Sequence, residues 1–272
     1  MPRSRNMDIR VSQGKREIMN IDGALRNIEE RINPKAVDDY YLVLSDLRLF
    51  LDRFRTDKPL LILDYGAGNS PYRSLFPNAE YRRADYVDTS GIDYLVPYDS
   101  TLPIFNALFD LIISTQVAEH LPVPSNYFSE AFRVLKPGGR LIVTTHGTWK
   151  DHGVPFDFQR WTADGLRRDL ENIGFAVNGV FKLTSSHRSY IFLLLDWLGN
   201  VYSGKRHLFA RAFTRLVRSV VRSIRPVIHL VVDHLWPECR VVGPLNLETH
   251  HLYCVLAAEA VKPPPEMNIS NP

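Results

Sequence analysis

A turn of small residues follows the first strongly apolar segment of the chain. Residues 60–63 are Leu-Leu-Ile-Leu, and Asp64, Gly66 and Gly68 come directly after them. Because glycine lets the backbone approach a ligand closely, the turn predicts a binding site at the end of a strand. A Gly-x-Gly turn also serves NAD, but Pro71 stands where the dinucleotide fingerprint has its third glycine. A structural turn without a ligand is the alternative interpretation.

Two further acids lie near the ends of the strands that should follow. Asp85 comes about 20 residues after Asp64, where a carboxylate can accept hydrogen bonds from both hydroxyls of a ribose. Asp99 precedes Leu102-Pro103, and its carboxylate could accept from the exocyclic amine of an adenine. The alternative for each acid is a surface or N-cap residue. Glu119 and His120 follow the next strand, and His120 is as compatible with packing on the sheet as with contacting a reactant.

A loop rich in histidine, aromatic and charged residues spans residues 145–162. Its position at the carboxyl edge of the predicted sheet is where an acceptor substrate should bind. His146 or His152 could serve as a general base, because an imidazole exchanges protons near neutral pH. Asp157 and Arg160 could grip sugar hydroxyls or a phosphate, or they could pair with each other and fix the loop.

These residues need a sheet with helices between its strands to position them. Residues 60–63 form an unbroken apolar run, typical of a strand buried on both faces. An amphipathic helix is predicted from Tyr40, and two others begin at the predicted N-caps Ser125 and Thr162, the first ending at Lys136-Pro137-Gly138-Gly139 and the second at Gly174. Alternating strands and helices indicate a doubly wound α/β sheet. Further strands are predicted at residues 81–85, 92–96, 109–114, 140–145, 175–183 and 252–257.

The ordered motifs of residues 60–175 resemble those of class I S-adenosylmethionine (SAM)-dependent methyltransferases. They are Asp-x-Gly-x-Gly, a strand-end acid, a Phe-Asp strand leading to Glu-His-Leu, and Val-Leu-Lys-Pro-Gly-Gly-Arg-Leu. The resemblance is to the type 11-like members and implies SAM as cofactor. The residues that it assigns to the cofactor site are Asp64, Gly66, Ala67, Gly68, Asp85, Asp99, Thr115 and Gln116. Ser70 stands where the family often has glycine.

The resemblance implies a Rossmann-like, doubly wound α/β fold. Its mostly parallel sheet should have seven strands, the last of them antiparallel, with an N-terminal helical extension and a C-terminal helical insertion. We expect residues 1–35 to form a flexible arm, residues 36–262 the methyltransferase domain with an insertion at about 188–245, and residues 263–272 a disordered tail.

The insertion contains a strongly amphipathic basic segment, residues 205–228. Five arginines recur at spacings of four and three from Arg211 to Arg225, while Phe213, Leu216 and Ile224 fall on the opposite helical face. A lid helix with its apolar face on the sheet is the favoured interpretation. The alternative is an interfacial helix that makes peripheral contact with a membrane through anionic headgroups.

Composition narrows the remaining classes of function. The net charge of +3 does not favour nucleic acid as a partner, and Cys239 and Cys254 lack metal-ligand spacing, so we expect no metal. No apolar run reaches the roughly 20 residues needed to span a bilayer, and the first residues do not resemble a secretory signal. We therefore expect a cytoplasmic protein, with an inner-membrane peripheral location as the alternative.

The expected reaction is methyl transfer from SAM to an acceptor. A hydroxyl of a sugar or glycan-linked substrate is favoured, because the loop is polar and the insertion could bring the enzyme to a lipid-linked substrate. The His…Pro-x-Asp-x-x-Arg-x-Thr arrangement of the loop also resembles one in methyltransferases of bacterial polysaccharide and lipid-linked glycan biosynthesis. The catalytic candidates are His146, His152 and Arg160. A small-molecule acceptor, an NAD-dependent oxidoreductase and a non-catalytic scaffold of the same fold are the rival interpretations.

Overall fold

The computed structural model describes residues 21–88, 91–96, 101–153, 155–200, 208–244 and 252–264. Six α-helices lie in these ranges: α1 (Ile21–Ile32), α2 (Tyr41–Asp52), α3 (Pro124–Val134), α4 (Ala163–Ile173), α5 (His187–Gly199) and α6 (Leu208–Leu235). Within the described ranges, no helix is both long and apolar enough to cross a membrane. Of the predicted arm, residues 21–32 form α1, whereas residues 1–20 and the tail from residue 265 lie outside the described residues.

The described strands form one mixed sheet in the order β3-β2-β1-β4-β5-β8-β6-β7. The strands are β1 (Leu61–Tyr65), β2 (Glu80–Asp85), β3 (Tyr94–Leu95), β4 (Phe109–Thr115), β5 (Leu135–His146), β6 (Ala176–Ser185), β7 (Val241–Val242) and β8 (Tyr253–Val261). β8 is antiparallel to both β5 and β6, as predicted for the last strand. The predicted count of seven was wrong, because two residues of the insertion add β7 to the edge beside β6.

The apolar run of β1 is explained by two cores, one on each face of the sheet. Leu63 packs into the core shared with α3 and α4, whereas Ile62 packs into the core shared with α2 and α5. Successive side chains of a strand point to opposite faces, so a strand covered on both faces must be apolar throughout. The doubly wound architecture predicted from this run is confirmed.

Helix ends followed the sequence signals in one case and departed from them in another. Thr162 caps α4 by accepting a hydrogen bond from the Gly165 amide, and Gly174 ends the helix with a φ of 111°. The predicted N-cap Ser125 was wrong, because Pro124 occupies the first turn of α3 and the chain enters from Val123. The segment predicted to stop that helix, residues 136–139, instead belongs to β5, which begins directly after α3.

The insertion lies between β6 and β8 as predicted, but α6 does not pack as predicted. The lid interpretation required its apolar face to cover the sheet, yet Phe213 and Leu216 are 63% and 61% exposed. Arg225 is instead buried, and its guanidinium donates to the Leu195 carbonyl on α5 at 3.2 Å and pairs with Asp39. The packed strip of α6 therefore lies between its apolar and its arginine-rich faces.

A buried ion network joins α2, α5 and the insertion. Arg188 on α5 is fully buried and donates two hydrogen bonds, of 2.8 and 2.9 Å, to the equally buried Asp46 of α2. The Arg188 guanidinium also pairs with Asp233 of α6 at 2.7 Å, and Arg240 donates to Asp46 at 2.8 Å. Hydrogen bonds to every charged group are what allow such charges to be buried.

The network predicts a large loss of stability on removal of one partner. Arg188→Met should lower the free energy of unfolding by about 3–5 kcal/mol, because Asp46 would remain buried with an incompletely compensated charge. Arg168→Met, at an exposed pair with Asp169, is the matched control and should change it by less than about 0.5 kcal/mol. Equal urea midpoints for the two variants would contradict the role assigned to Arg188.

Candidate active site

A cavity of about 500 Å³ opens at the carboxyl ends of β1, β2 and β4. Open parallel sheets bind ligands at this place, where neighbouring strands are followed by loops that run to opposite faces. Its walls include the last residues of β1 and β2, Tyr65 and Asp85, and Gln116 directly after β4. The volume lies within the range typical of small-molecule and cofactor sites.

The glycine turn after β1 forms one wall of the cavity. Gly66 has a φ of 77°, and a Cβ there would overlap the side chain of Val117. Gly68 has a φ of 48°, and a Cβ there would meet none of the described atoms within 4 Å. The first glycine is therefore required by packing and conformation, and the second keeps the cavity open. Ser70 also has a positive φ, 50°, a conformation that glycine adopts more readily than serine.

Asp85, the last residue of β2, holds the glycine turn in place. Its carboxylate accepts hydrogen bonds from the amides of Gly68 at 2.7 Å and Val87 at 3.0 Å, and it lines the cavity. Arg83 supports the same turn by donating to the Gly68 carbonyl at 2.6 Å and to the Ser70 hydroxyl at 2.8 Å. A carboxylate is thus fixed beside the glycines before any ligand binds.

Asp64 lies behind the turn rather than in the cavity wall. Its side chain is buried and accepts a hydrogen bond of 2.8 Å from the hydroxyl of Tyr81. Burial raises the pKa of Asp64 to about 7, although hydrogen bonds from Tyr81 and Ser70 oppose the rise. Nothing in this arrangement aims the carboxylate at a ligand amine, so its assignment to the cofactor site stays a prediction.

Gln116 has the features of a ligand contact. It has a φ of 58°, unusual for a residue with a side chain, and it lines the cavity. Its amide nitrogen donates to the Thr144 hydroxyl at 3.2 Å, while its buried Oε1 has no hydrogen-bond partner among the described atoms. A buried acceptor of this kind is an available partner for an N–H or O–H of a ligand.

The other predicted cofactor residues are placed less directly. Ala67 is buried within the turn, and Thr115 is the last residue of β4; neither belongs to the described lining of the cavity. Asp99 lies outside the described residues. Sequence reasoning missed the largely aromatic and apolar part of the wall, which includes Tyr86, Val96, Leu121, Tyr127 and Phe156. Most of these are loop residues without a spacing signal.

Three histidines form a row beside the cavity. His120 is in the cavity wall, its ring centroid lies 4.6 Å from that of His152, and the His152 centroid lies 4.3 Å from that of His146. His146 Nδ1 hydrogen-bonds Oε1 of Glu119, which is fully buried, and Glu119 Oε2 accepts from the Thr145 hydroxyl at 2.8 Å. The row therefore leads from the cavity to a fixed carboxylate.

The environment controls the charge of this row. Burial alone would raise the pKa of Glu119, but hydrogen bonding to His146 and Thr145 holds that pKa below its usual range, so the group stays a carboxylate. Burial lowers the pKa of His152, and the neighbouring His146 and His120 lower it further. His152 Nε2 is buried, has no hydrogen-bond partner among the described atoms, and lies 3.9 Å from Oε1 of Glu119.

Arg160 and Asp157 form a two-bond ion pair rather than two free groups. The guanidinium donates to the two carboxylate oxygens at 2.6 and 2.9 Å, which holds the pKa of Asp157 well below its usual range. Asp157 also accepts from the His152 amide at 2.9 Å. The pair thus fixes the acceptor loop, residues 147–162, as in the second interpretation offered by the sequence. A catalytic role for Arg160 stays a prediction.

Glu119, His120 and His152 each offer a potential metal-ligand atom, and these atoms lie within 4.8 Å of one another. The spacing is compatible with a divalent cation. However, His146 already hydrogen-bonds one oxygen of Glu119, and the Thr145 hydroxyl binds the other. Both oxygens of Glu119 are therefore already engaged in hydrogen bonds within the protein.

Comparison with known proteins agrees with the geometry. A family described as methyltransferase domain matches residues 63–143, which include the glycine turn, Asp85 and Gln116. This part of the chain is thus similar to the methyltransferase domain of SAM-dependent enzymes. SAM is the cofactor that the similarity indicates, and the cavity fits it: Gly68 leaves open space, Asp85 would hold the ribose hydroxyls, and Gln116 offers an unpartnered acceptor among the described atoms.

Two curated relatives match part of this chain. A protein of Mycolicibacterium smegmatis described as an S-adenosylmethionine-dependent methyltransferase is 37% identical over 89 residues, 29% of this chain and 35% of its own. Malonyl-[acyl-carrier protein] O-methyltransferase of Hahella chejuensis is 34% identical over 103 residues, 32% of this chain and 37% of its own. The matched regions thus span little more than a third of either relative.

Solved structures show the same fold at low identity. The [4+2]-cyclase SpnF is 19% identical with a TM-score of 0.50, and the match covers 82% of this chain and 83% of that one. A chain from the complex of the Haloferax volcanii Trm112 methyltransferase activator with a methyltransferase is 16% identical with a TM-score of 0.51, covering 90% and 96%. At these identities, the likeness concerns the fold alone.

The cofactor site predicts a specific response to the loss of one carboxylate. Asp85→Ala should weaken SAM binding at least about tenfold, or about 1.4 kcal/mol, because the ribose hydroxyls lose their acceptor and the glycine turn loses its tether. Asp88→Ala makes the same charge change at an exposed residue nearby and should bind as the wild type does. Calorimetric titration with SAM measures both variants.

Thermal melting must first show that each variant is folded. Equal affinity of wild type and Asp85→Ala would contradict the role of Asp85. Absence of binding to folded wild type would contradict the assignment of the cavity to SAM.

Proposed function

We propose that this protein transfers a methyl group from SAM to a hydroxyl of a sugar or glycan-linked substrate, as in polysaccharide biosynthesis. The observation that carries the proposal is the row of three histidines backed by the buried Glu119 carboxylate at the cofactor cavity. This arrangement of side chains is suited to accepting a proton. A hydroxyl acceptor requires this, because it must lose a proton as it takes the methyl group.

When bound, SAM supplies a methyl group already activated by its sulfonium. The protein must then align the acceptor oxygen and receive its proton. If the Nδ1–H of His146 donates a hydrogen bond to the Glu119 carboxylate, Nε2 of the neutral ring is left as an acceptor. The Thr145 hydroxyl in turn orients Glu119. A histidine base held by an oriented carboxylate is the arrangement that activates hydroxyl groups in other enzymes.

His152 offers a second proton acceptor that lies nearer to the cavity than His146 does. Its lowered pKa keeps the ring neutral near pH 7, and a neutral imidazole can receive a proton. Its position between His120 and His146 connects the cavity wall with the Glu119 pair. A carboxylate acceptor would need no such base, which is why we favour a hydroxyl.

The acceptor loop supports a polar, ring-shaped substrate. Phe156 lines the cavity, and Phe156 and Phe158 are both about half exposed, so aromatic surface is available beside the polar groups of the loop. Sugar rings bind by packing their apolar faces on aromatic rings while their hydroxyls form hydrogen bonds.

The rival functions differ in measurable ways. A small-molecule acceptor would use the same residues, and an acceptor screen separates it from a glycan-linked one. A non-catalytic scaffold would bind SAM without turnover, and SpnF, named as a cyclase, illustrates that one fold hosts different functions. We also propose a cytoplasmic location, supported by two cysteines that are buried and free.

The proton-accepting row predicts separate effects on binding and on turnover. Glu119→Gln, His146→Asn and His152→Gln should each lower kcat by about 10²–10⁴-fold with hydroxyl acceptors, while SAM affinity stays close to that of wild type. His187→Gln, at an exposed histidine of α5, is the matched control and should retain full turnover. Formation of S-adenosylhomocysteine with nucleotide-linked sugars, lipid-linked sugars and carboxylic acids measures all four variants.

Three outcomes would contradict the proposal. Turnover with carboxylic acids alone would exclude a hydroxyl acceptor, and unchanged kcat in all three variants would exclude the histidine row as base. Loss of wild-type turnover on chelation, with recovery on adding a divalent cation, would show that Glu119, His120 and His152 hold a metal instead.

The lowered pKa of His152 predicts the acidic limb of the pH profile. If His152 accepts the proton, kcat/KM should hold down to a pH below the ordinary range of histidine and fall only as pH drops through the lowered pKa. The sign follows because the protonated ring cannot accept a proton. In His152→Gln this limb should disappear or move. A wild-type limb above about pH 6.5, the ordinary value for histidine, would contradict the assignment.

A further inference from the structure

The long helix α6 carries an apolar strip that faces away from the rest of the described structure. Its members are large side chains, each between 45% and 88% exposed: Phe209, Phe213, Leu216, Val220, Ile224, Val227, Leu230, Val231 and Leu235. At 3.6 residues per turn these positions share one side of the helix. A continuous exposed strip of this size on one element marks an interaction surface.

The basic residues of α6 lie on the side roughly opposite to the apolar strip. Arg211, Arg215, Arg218 and Arg222 are all exposed there. Between Asp196 and Asp233 the chain contains seven lysines and arginines and no aspartate or glutamate. Residues 197–232 therefore carry positive charges and no negative charge.

The C-terminal half of α6 fixes the direction in which the strip faces. His229 Nδ1 bonds the Ala36 carbonyl at 2.8 Å, and its ring stacks on Tyr41 at 5.3 Å. Arg225 reaches the Leu195 carbonyl, and Asp233 pairs with Arg188. Together with the buried Val221 and Val232, these contacts attach the helix by a strip of mixed polar and apolar side chains, so the apolar strip is presented outward in a defined orientation.

We infer that α6 docks in the plane of an anionic lipid surface, with its apolar strip inserted among the acyl chains near the headgroups. A helix with a large apolar face, arginines on its polar face and too much charge to span a bilayer has the properties of interfacial helices. Arginines on the polar face of such a helix are attracted by the negative charge of the headgroups among which the helix lies. The proposal does not depend on which acceptor is methylated.

A second copy of the chain fits this surface less well. Two apolar strips could pack together, but the exposed arginines of both helices would then point outward, and the contact between the copies would make no use of the positive charge of residues 197–232. An anionic bilayer uses the apolar strip and the charge together. The bilayer is therefore the occupant that explains both features.

Vesicle co-sedimentation of the full-length protein tests the inference. One vesicle preparation is phosphatidylcholine alone, and the other is phosphatidylcholine and phosphatidylglycerol in equal parts. We expect wild type to bind the anionic vesicles, and Phe213→Ser/Leu216→Ser to bind them at least about tenfold more weakly, because two inserted side chains are lost. Leu49→Ser/Phe105→Ser removes exposed apolar residues elsewhere and should bind as wild type does.

The arginines are tested with Arg211→Gln/Arg215→Gln/Arg222→Gln. This variant should lose the preference for anionic over neutral vesicles, and added salt should weaken wild-type binding in the same way. All variants should keep the wild-type melting temperature and SAM affinity, which separates this test from that of the proposed function.

Two outcomes would overturn the inference. One is equal vesicle binding by wild type and Phe213→Ser/Leu216→Ser. The other is a dimer in light scattering that Phe213→Ser/Leu216→Ser converts to a monomer, with no vesicle binding by wild type. The second result would assign the strip to another copy of the chain.

Discussion

The close approach of two turns at the sheet edge is the constraint on which the site depends. Gly66, after β1, packs so tightly against Val117, after β4, that no side chain fits between them. This contact brings the loop carrying the glycines beside the loop that carries Gln116 on one side and Glu119 and His120 on the other. Cofactor cavity and histidine row are thereby adjacent, because both extend from the segment that contacts Gly66.

Sequence patterns predicted correctly those features of the fold that depend on neighbouring residues. The apolar run of β1, the turn after it and the caps of α4 depend on neighbouring residues, and the structure confirmed them. The pairing of Glu119 with His146 was not predicted, since 27 positions separate them and only the parallel pairing of β4 with β5 brings their ends together. Asp64 likewise has a signal typical of a ligand contact, but Tyr81 on the neighbouring strand occupies its carboxylate.

The orientation of α6 shows a second limit of sequence patterns. The spacing of arginines and apolar residues established two faces, but amphipathicity does not state which face the rest of the protein covers. Here the covered strip lies between the two faces: Arg225, His229 and Asp233 bind partners on α5 and in the segment before α2, and Val232 packs into the core beside them. This attachment leaves the apolar strip outward, which explains why the lid interpretation was wrong.

The same attachments connect the exposed helix with the acceptor loop. Lys150 of the loop forms an ion pair of 2.9 Å with Asp196 of α5, and Trp149 stacks on Phe192 of α5 with ring centroids 5.1 Å apart. α5 in turn holds α6 through the Leu195 carbonyl.

A short path of direct contacts therefore runs from the outward strip of α6 through α5 to Trp149, whose ring lies 4.6 Å from that of His146. The segment before α2 forms a second connection, because Ala36 and Asp39 bind α6 and the ring of Tyr40 lies 6.0 Å from that of Trp149. The insertion is thus joined to the acceptor loop by two sets of contacts, neither of which includes Gly66, Gly68 or Asp85.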